Sequence, residues 1–76
     1  MTVGASMERC RKARGLTQKE LARRANVSEH LLGRYERDEI LPGLYNLRAL
    51  ADALEISLDE YVGRKIKKGE HAYADQ

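Results

Sequence analysis

Residues 15–37 read GLTQKELARRANVSEHLLGRYER, and this stretch predicts two short helices joined by a tight turn. The first helix opens with a capping box, in which the hydroxyl of Thr17 and the carboxylate of Glu20 satisfy each other's backbone amides. Asn26 tolerates the left-handed conformation that a sharp turn needs. Ser28 then supplies the N-cap of the second helix.

The apolar side chains inside this stretch occupy positions that let the two helices pack closely. Leu21 faces the core, and Ala22 is small where the second helix must cross the first. Val27 fills the corner of the turn, while Leu32 and Tyr35 anchor the second helix. A bulky residue in place of Ala22 would push the helices apart. Because these constraints are met together, the pattern indicates a helix-turn-helix motif rather than chance amphipathicity.

Outside the motif, apolar residues recur at helical spacing between glycine and proline breakers. This pattern predicts five helices, at about residues 4–14, 17–25, 29–37, 44–54 and 58–62. No window of the sequence alternates with the period of two that strands require, so we expect an all-α fold. We expect residues 1–63 to form one domain with the motif at 18–37, and residues 64–76 to be a basic, mobile C-terminal tail.

The charged residues divide the chain into a basic and an acidic half. Residues 8–24 carry seven Lys or Arg against two acids, whereas residues 25–63 carry three against eight. This polarity suits a polyanion on one face and solvent or a partner on the other, although solvated helix faces would have the same composition. The basic cluster of the tail either grips phosphate or is a solubilising segment; it consists of Arg64, Lys65, Lys67 and Lys68.

Length and composition exclude several classes of protein. A chain of 76 residues forms one domain at most, without room for a deep substrate cleft. No nucleophile has a base at useful spacing and no carboxylate pair appears, so we expect neither an enzyme nor a cofactor. The single Cys10 cannot form an intrachain disulfide, and with the distant His30 and His71 it does not make a metal site. We interpret Cys10 as a core-facing residue of a cytoplasmic protein that has no signal peptide or membrane span.

The motif and its surroundings resemble the Cro and phage-lambda-repressor (XRE-type) helix-turn-helix family over residues 3–62. The strongest matches are residues 15–18 (GLTQ), 21–22 (LA), 27–28 (VS), 34–36 (RYE), Pro42 and 51–54 (ADAL). The resemblance implies a five-helix, lambda-repressor-like DNA-binding domain whose second motif helix lies in the major groove. It also implies a protein that dimerises and regulates promoters.

The same resemblance assigns roles to individual residues. It implies base reading by Glu29, His30, Gly33 and Arg34, phosphate contacts by Thr17, Gln18 and Arg37, and a structural ion pair between Arg11 and Glu36. The chemistry agrees in part, because Arg34 can donate twice to guanine O6 and N7, and Glu29 can accept from cytosine N4. Gln18 stands at a helix start, where exposed amides attract an anion. Other roles stay open: Arg34 could tie down an acid, Glu29 could complement the helix dipole, and His30 could be simply solvated.

Three features depart from the family pattern. Asn26 stands where the family prefers glycine. Asp38 and Glu39 occupy a loop where many members have glycine and basic residues, so we expect weaker phosphate contacts there. Gly33, inside the second motif helix, costs about 1 kcal/mol of helix stability relative to alanine. It either lets the helix backbone approach DNA closely or is simply tolerated.

These observations predict a sequence-specific DNA-binding transcriptional regulator, a repressor, that binds an inverted-repeat operator in double-stranded DNA as a homodimer. The predicted dimer interface consists of Leu58, Tyr61, Val62 and Ile66. Together these residues supply more apolar area than a monomer needs to expose. Alternatively, these residues only cap the core of a monomer. The alternative function is an antitoxin-like module that binds a partner protein through its last two helices and regulates its own promoter.

Overall fold

The chain is described by a computed structural model over residues 2–63, and within that range it is a bundle of five helices. The helices are α1 (Val3–Ala13), α2 (Gln18–Ala25), α3 (Glu29–Glu36), α4 (Leu44–Leu54) and α5 (Leu58–Val62). No strand occurs in these residues, so the all-α, five-helix prediction is confirmed. The predicted mobile tail, residues 64–76, and the predicted interface residue Ile66 lie outside the described range. None of the five helices is long and apolar enough to cross a bilayer.

Four of the five helices begin at a hydroxyl side chain. Each of these hydroxyls accepts a hydrogen bond from the backbone amide three positions further along the chain, and they belong to Thr2, Thr17, Ser28 and Ser57. At α2 the capping box is complete, because the Glu20 carboxylate also accepts the Thr17 amide at 2.8 Å. Helix α4 instead begins at Gly43 without a side-chain cap.

The turn between α2 and α3 has the tight geometry that the sequence predicts. Asn26 ends α2 in the left-handed conformation, with φ at 58°. The amide of Val27 then donates to the carbonyl of Ala22 at 2.9 Å, which closes the end of the helix. Because Ser28 caps the next helix immediately afterwards, this short turn sets the direction of α3.

The core lies where the five helices meet. Its buried apolar side chains are Met7, Cys10, Leu21, Ala22, Leu32, Tyr35, Leu50, Ala51, Leu54 and Tyr61. Helix α1 packs on α3 and α5, α2 packs on α3 and α4, and α4 packs on α5. Cys10 lies in this core, and burial raises the pKa of its thiol above the ordinary value. Both motif helices are therefore supported from behind, which leaves their outer sides for solvent or a ligand.

Helix α5 closes the core, and it buries one of the residues predicted to form a dimer interface. Tyr61 is among the largest fully buried side chains, and desolvation raises the pKa of its hydroxyl above the ordinary value. The prediction that Tyr61 lies in a dimer interface is therefore wrong, because a side chain inside the monomer core has no area left for a partner. Leu58 and Val62 are half-buried. Within residues 2–63, the large apolar side chains that are exposed are Leu41, Leu44 and Tyr45.

The N-terminal end of α1 packs directly on the C-terminal end of α3. A Cβ atom on Gly4 would come within 2.6 Å of the carbonyl oxygens of Tyr35 and Glu36. The Asp38 carboxylate accepts the Gly4 amide at 2.9 Å and the Thr2 hydroxyl at 2.6 Å. Asp38, at φ 61°, therefore caps α1 from the turn that follows α3, and this contact fixes the backbone of that turn.

Candidate nucleic-acid interface

The residues predicted to contact DNA come together on one face, formed by the start of α2 and the outer side of α3. Positions 29, 30, 33, 34 and 37 follow the spacing of a single helix face. An open hollow on this face is lined by Gln18, Glu29, His30, Gly33 and Arg37. Thr17 is the N-cap of α2 beside the hollow, and Arg34 follows Gly33 on α3. The structure therefore gathers the predicted site residues on one surface.

The first turn of α3 presents two accessible polar side chains. Glu29 and His30 are both exposed there. The Glu29 carboxylate also stands at the end of the helix where the dipole favours an acid. One turn later, a Cβ atom on Gly33 would lie 3.2 Å from Arg37 Nη1 and 3.5 Å from Gln18 Oε1. At Gly33 the side chains of Arg37 and Gln18 therefore lie directly against the helix backbone, because this residue has no side chain of its own.

Beneath this face lies a group of hydrogen-bonded polar groups that we call the buried cluster, formed by the side chains of Arg11, Gln18 and Glu36 and the backbone carbonyl of Leu16. Arg11 donates from Nε to Glu36 Oε2 at 2.8 Å and from Nη2 to Oε1 at 3.0 Å. Its Nη1 donates to the Leu16 carbonyl at 2.7 Å. Gln18 Nε2 donates to Glu36 Oε1 at 2.9 Å. The side chains of Arg11 and Glu36 are only 8% and 2% exposed, and the hydrogen bond to Glu36 raises the pKa of Arg11.

The buried cluster ties α1, the loop before α2, and both motif helices into one unit. The structure forms the Arg11–Glu36 ion pair that the family resemblance implies, as a bidentate contact. Gln18, the predicted phosphate contact, has its amide nitrogen engaged by Glu36 and thereby locks the start of α2 to the end of α3. Sequence reasoning missed the contacts of Leu16 and Gln18, because neither spacing nor residue type marks them.

At the outer end of α3 lies a second group, which we call the exposed cluster, formed by Arg34, Arg37 and Glu39. Arg34 Nε donates to Glu39 Oε1 at 3.2 Å, and Arg37 Nε donates to Oε2 at 2.7 Å. The side chains of Arg34, Arg37 and Glu39 are 39%, 57% and 45% exposed. The hydrogen bond with Arg37 lowers the pKa of Glu39 and raises that of Arg37. The structure thus pairs Arg34 with an acid, which is the role that the sequence analysis left open beside base reading.

The two acids after α3 have different partners. The sequence presents Asp38 and Glu39 together, as acids that weaken phosphate contacts. Asp38 instead holds the start of α1 through Gly4 and Thr2, whereas Glu39 lies against the two arginines. Nothing in the sequence separates these roles, since Gly4 and Asp38 are 34 residues apart.

Comparison with known protein families and sequences finds relatives for most of the chain. A family model described as helix-turn-helix matches residues 7–61. The chain is 45% identical over 65 residues to the immunity repressor protein of Bacillus phage phi105, an alignment that covers 86% of this chain and 45% of that protein. It is 46% identical over 54 residues to the cryptic phage CTXphi transcriptional repressor RstR of Vibrio cholerae serotype O1, covering 71% of this chain and 48% of that protein. The chain therefore spans about half the length of these two relatives.

Among solved structures, the chain is similar to the P22 c2 repressor in a crystal structure with a synthetic operator. The TM-score is 0.74 at 32% sequence identity, and the match covers 82% of this chain and 92% of that one. The five-helix arrangement described above is therefore shared with a solved repressor.

Proposed function

This chain belongs to the helix-turn-helix family, and on that premise we propose that it is a sequence-specific DNA-binding transcriptional repressor that inserts α3 into the major groove. The observation that carries the proposal is the accessible polar face of α3, held on the motif by the buried cluster. The names of the two sequence relatives, both repressors, and the operator bound to the P22 c2 repressor support it. The chain spans about half the length of those relatives, so the similarity covers only part of each repressor. That this protein represses transcription is therefore proposed together with its DNA binding.

Base reading is proposed for the outer side of α3. The major groove, about 12 Å wide, admits one α-helix, whose exposed side chains then meet the edges of base pairs. Arg34 offers a guanidinium for guanine O6 and N7, Glu29 accepts from cytosine N4, and His30 lies between them on the same face. Gly33 contributes no side chain and is buried beneath Gln18 and Arg37, so its backbone would meet the groove only where those two side chains shift aside.

Phosphate contacts are proposed for the start of α2 and for the residue that ends α3. The capping box engages the amides of Thr17 and Glu20. The intervening first-turn amides, of Gln18 and Lys19, remain available to an anion at the positive end of the helix dipole. Arg37, the C-cap of α3, adds a guanidinium beside the same hollow. These contacts would orient the motif on the duplex without reading its sequence.

Selection from random DNA tests the proposal. The purified protein is incubated with a pool of random duplexes, and the bound fraction is amplified and sequenced over several rounds. We expect one short sequence to be enriched and its affinity to fall steeply as salt is raised, because phosphate contacts release counterions. A bound pool that remains as random as the input would overturn the proposal.

We further propose that the protein binds an inverted-repeat operator as a homodimer through the start of α4. The exposed fractions of Leu41, Leu44 and Tyr45 are 80%, 63% and 85%, a cluster of large apolar side chains that a monomer leaves in water. Arg48 and Asp52 lie one turn apart on the same helix and line a hollow with Leu44 and Leu58. This surface shares Leu58 with the interface that the sequence predicted, but it does not include the buried Tyr61.

The charges on α4 complement a second copy of the same surface. In a two-fold interface, the same surface of both protomers takes part, so if one residue contacts a second residue across the interface, the reverse contact also forms. Two antiparallel α4 helices would therefore place Arg48 of each protomer against Asp52 of the partner. Such a dimer would present its two α3 helices to half-sites about 34 Å apart, one turn of DNA. Two linked half-sites also raise affinity through effective concentration.

Charge reversal on α4 tests the dimer. Sedimentation equilibrium of the wild type is compared with Arg48→Glu, Asp52→Arg and the double variant. We expect each single reversal to weaken association and the double variant to restore it, because only the double variant recovers opposite charges across the two-fold axis. A wild type that stays monomeric with and without an inverted-repeat duplex would contradict the proposal and leave this surface to a different partner protein.

A further inference from the structure

Glu39 is held beside the two arginines of the exposed cluster by the backbone around it. Its amide donates to the Arg34 carbonyl at 2.9 Å, so the residue is attached to the last turn of α3. The preceding residue, Asp38, is tied to the start of α1 through Gly4 and Thr2. Glu39 therefore occupies a defined position at the edge of the DNA-facing surface and is not a freely moving loop acid.

The atoms used in the Arg34–Glu39 contact leave the rest of the guanidinium accessible. The contact is made by Arg34 Nε, at 3.2 Å from the carboxylate. Recognition of guanine O6 and N7 needs two parallel N–H donors, and the two terminal nitrogens of Arg34 supply them. A carboxylate that holds Nε restricts rotation of the guanidinium plane, and less conformational entropy is then lost when Arg34 binds a base.

The same carboxylate lowers the attraction of this surface for phosphate. Non-specific binding depends almost entirely on the charges that a protein offers to the DNA backbone. With Glu39 in contact with both Arg34 and Arg37, the cluster offers one net positive charge where the arginines alone would offer two. The acid therefore lowers the affinity for all duplexes, and only a duplex that offers a guanine to Arg34 regains the lost binding energy.

On the basis of the proposed function, we propose that Glu39 is a specificity-determining residue that positions Arg34 for a guanine and weakens, without abolishing, the attraction of Arg34 and Arg37 for phosphate. It acts through the arginines and does not itself contact the base. Because exposed ion pairs contribute little to stability, the effect of Glu39 is expected in DNA binding rather than in folding.

The variant Glu39→Gln tests this role, with Glu55→Gln as the matched control. Both substitutions remove one exposed acid that contacts an arginine, but Glu55 pairs with Arg14, at 3.6 Å, beyond the end of α4. The probes are a random-sequence duplex and the duplex enriched by the wild-type protein. Kd is measured for both at several salt concentrations, and thermal melting followed by circular dichroism verifies that each variant is folded.

We expect Glu39→Gln to bind the random duplex about three- to tenfold more tightly, with a salt slope steeper by about 0.9, the value for one added phosphate contact. Its preference for guanine at the base pair read by Arg34 should fall by about tenfold. Glu55→Gln should change both affinities by one common factor and leave the base preference intact. If Glu39 had a purely structural role, the two variants would not differ in this way.

Two results would overturn the inference by different routes. If Glu39→Gln and Glu55→Gln change both affinities equally, Glu39 acts only through net charge, and the proposed function is untouched. If the wild type enriches no sequence, the proposed function fails and the inference fails with it.

Discussion

The buried and exposed clusters use the same chemistry, an arginine guanidinium against a glutamate carboxylate, on acids only three residues apart. Glu36 accepts two bonds from Arg11 inside the protein, whereas Glu39 accepts one bond each from Arg34 and Arg37 in solvent. In the interior, either charge left alone would be strongly destabilising. At the surface, water and salt replace a lost partner with little change in free energy. Burial, and not pairing itself, therefore separates a contact that holds the motif together from one that adds little to the stability of the fold.

The largest expected effect is on the buried cluster. Glu36→Ala leaves the Arg11 guanidinium buried without its carboxylate and also removes the acceptor of Gln18. We expect the free energy of unfolding to fall by about 3–5 kcal/mol, the usual loss when one partner of a buried pair is removed. Urea denaturation followed by circular dichroism measures it.

The matched control for that variant is Glu39→Ala, which removes the same side chain from the exposed cluster. We expect its unfolding midpoint to lie close to that of the wild type, because its partners are already solvated. An unchanged melting temperature for Glu36→Ala, or equal losses in the two variants, would refute the distinction between the clusters.

A smaller effect should separate the two arginines that share Glu39. Arg34→Ala is expected to cost about 1–3 kcal/mol of binding at one base pair of the enriched duplex and to relax the preference there. Arg37→Ala should instead weaken binding to all duplexes alike and reduce the salt slope by about 0.9. Titration of single-base variants of the enriched duplex measures both. Identical profiles for the two variants would mean that α3 does not read bases through Arg34.

Most of the fold could be predicted from the sequence because its signals are local. The capping box at Thr17, the left-handed Asn26 and the cap at Ser28 each act within a few residues, and the structure has all three. The burial of Tyr61 was missed, since the five-residue α5 carries too short a pattern to show which side faces the core. The separate roles of Asp38 and Glu39 depend on the packing of α1 against α3, which no local pattern encodes.

Gly33 lies between the two clusters and tests whether they are independent. Alanine there should stabilise α3 by up to about 1 kcal/mol through its higher helix propensity. The nearest atoms to the new Cβ would be Arg37 Nη1 at 3.2 Å and Gln18 Oε1 at 3.5 Å, the ends of flexible side chains that can shift. Urea denaturation of Gly33→Ala measures the gain. A net loss of stability would mean that Gln18 and Arg37 cannot move apart, and that the clusters are coupled through this position.

The smallest effect is the pH dependence of the exposed cluster. The pKa of Glu39 is lowered below its ordinary value of 4.5, chiefly by the hydrogen bond from Arg37, so the folded state binds fewer protons than the unfolded state near that pH. Its contribution to stability is therefore complete above pH 4.5 and is lost as the pH falls through the lower, folded-state pKa.

Glu39→Gln cannot titrate at this position, so the difference in melting temperature between wild type and variant isolates the contribution of Glu39. We expect a small advantage of the wild type at neutral pH that shrinks to zero under acidic conditions below the ordinary pKa, while other carboxylates titrate equally in both proteins. Thermal melts of both proteins across this pH range measure the difference. An advantage that persists in acid would show that Glu39 stabilises the protein through packing rather than through its charge.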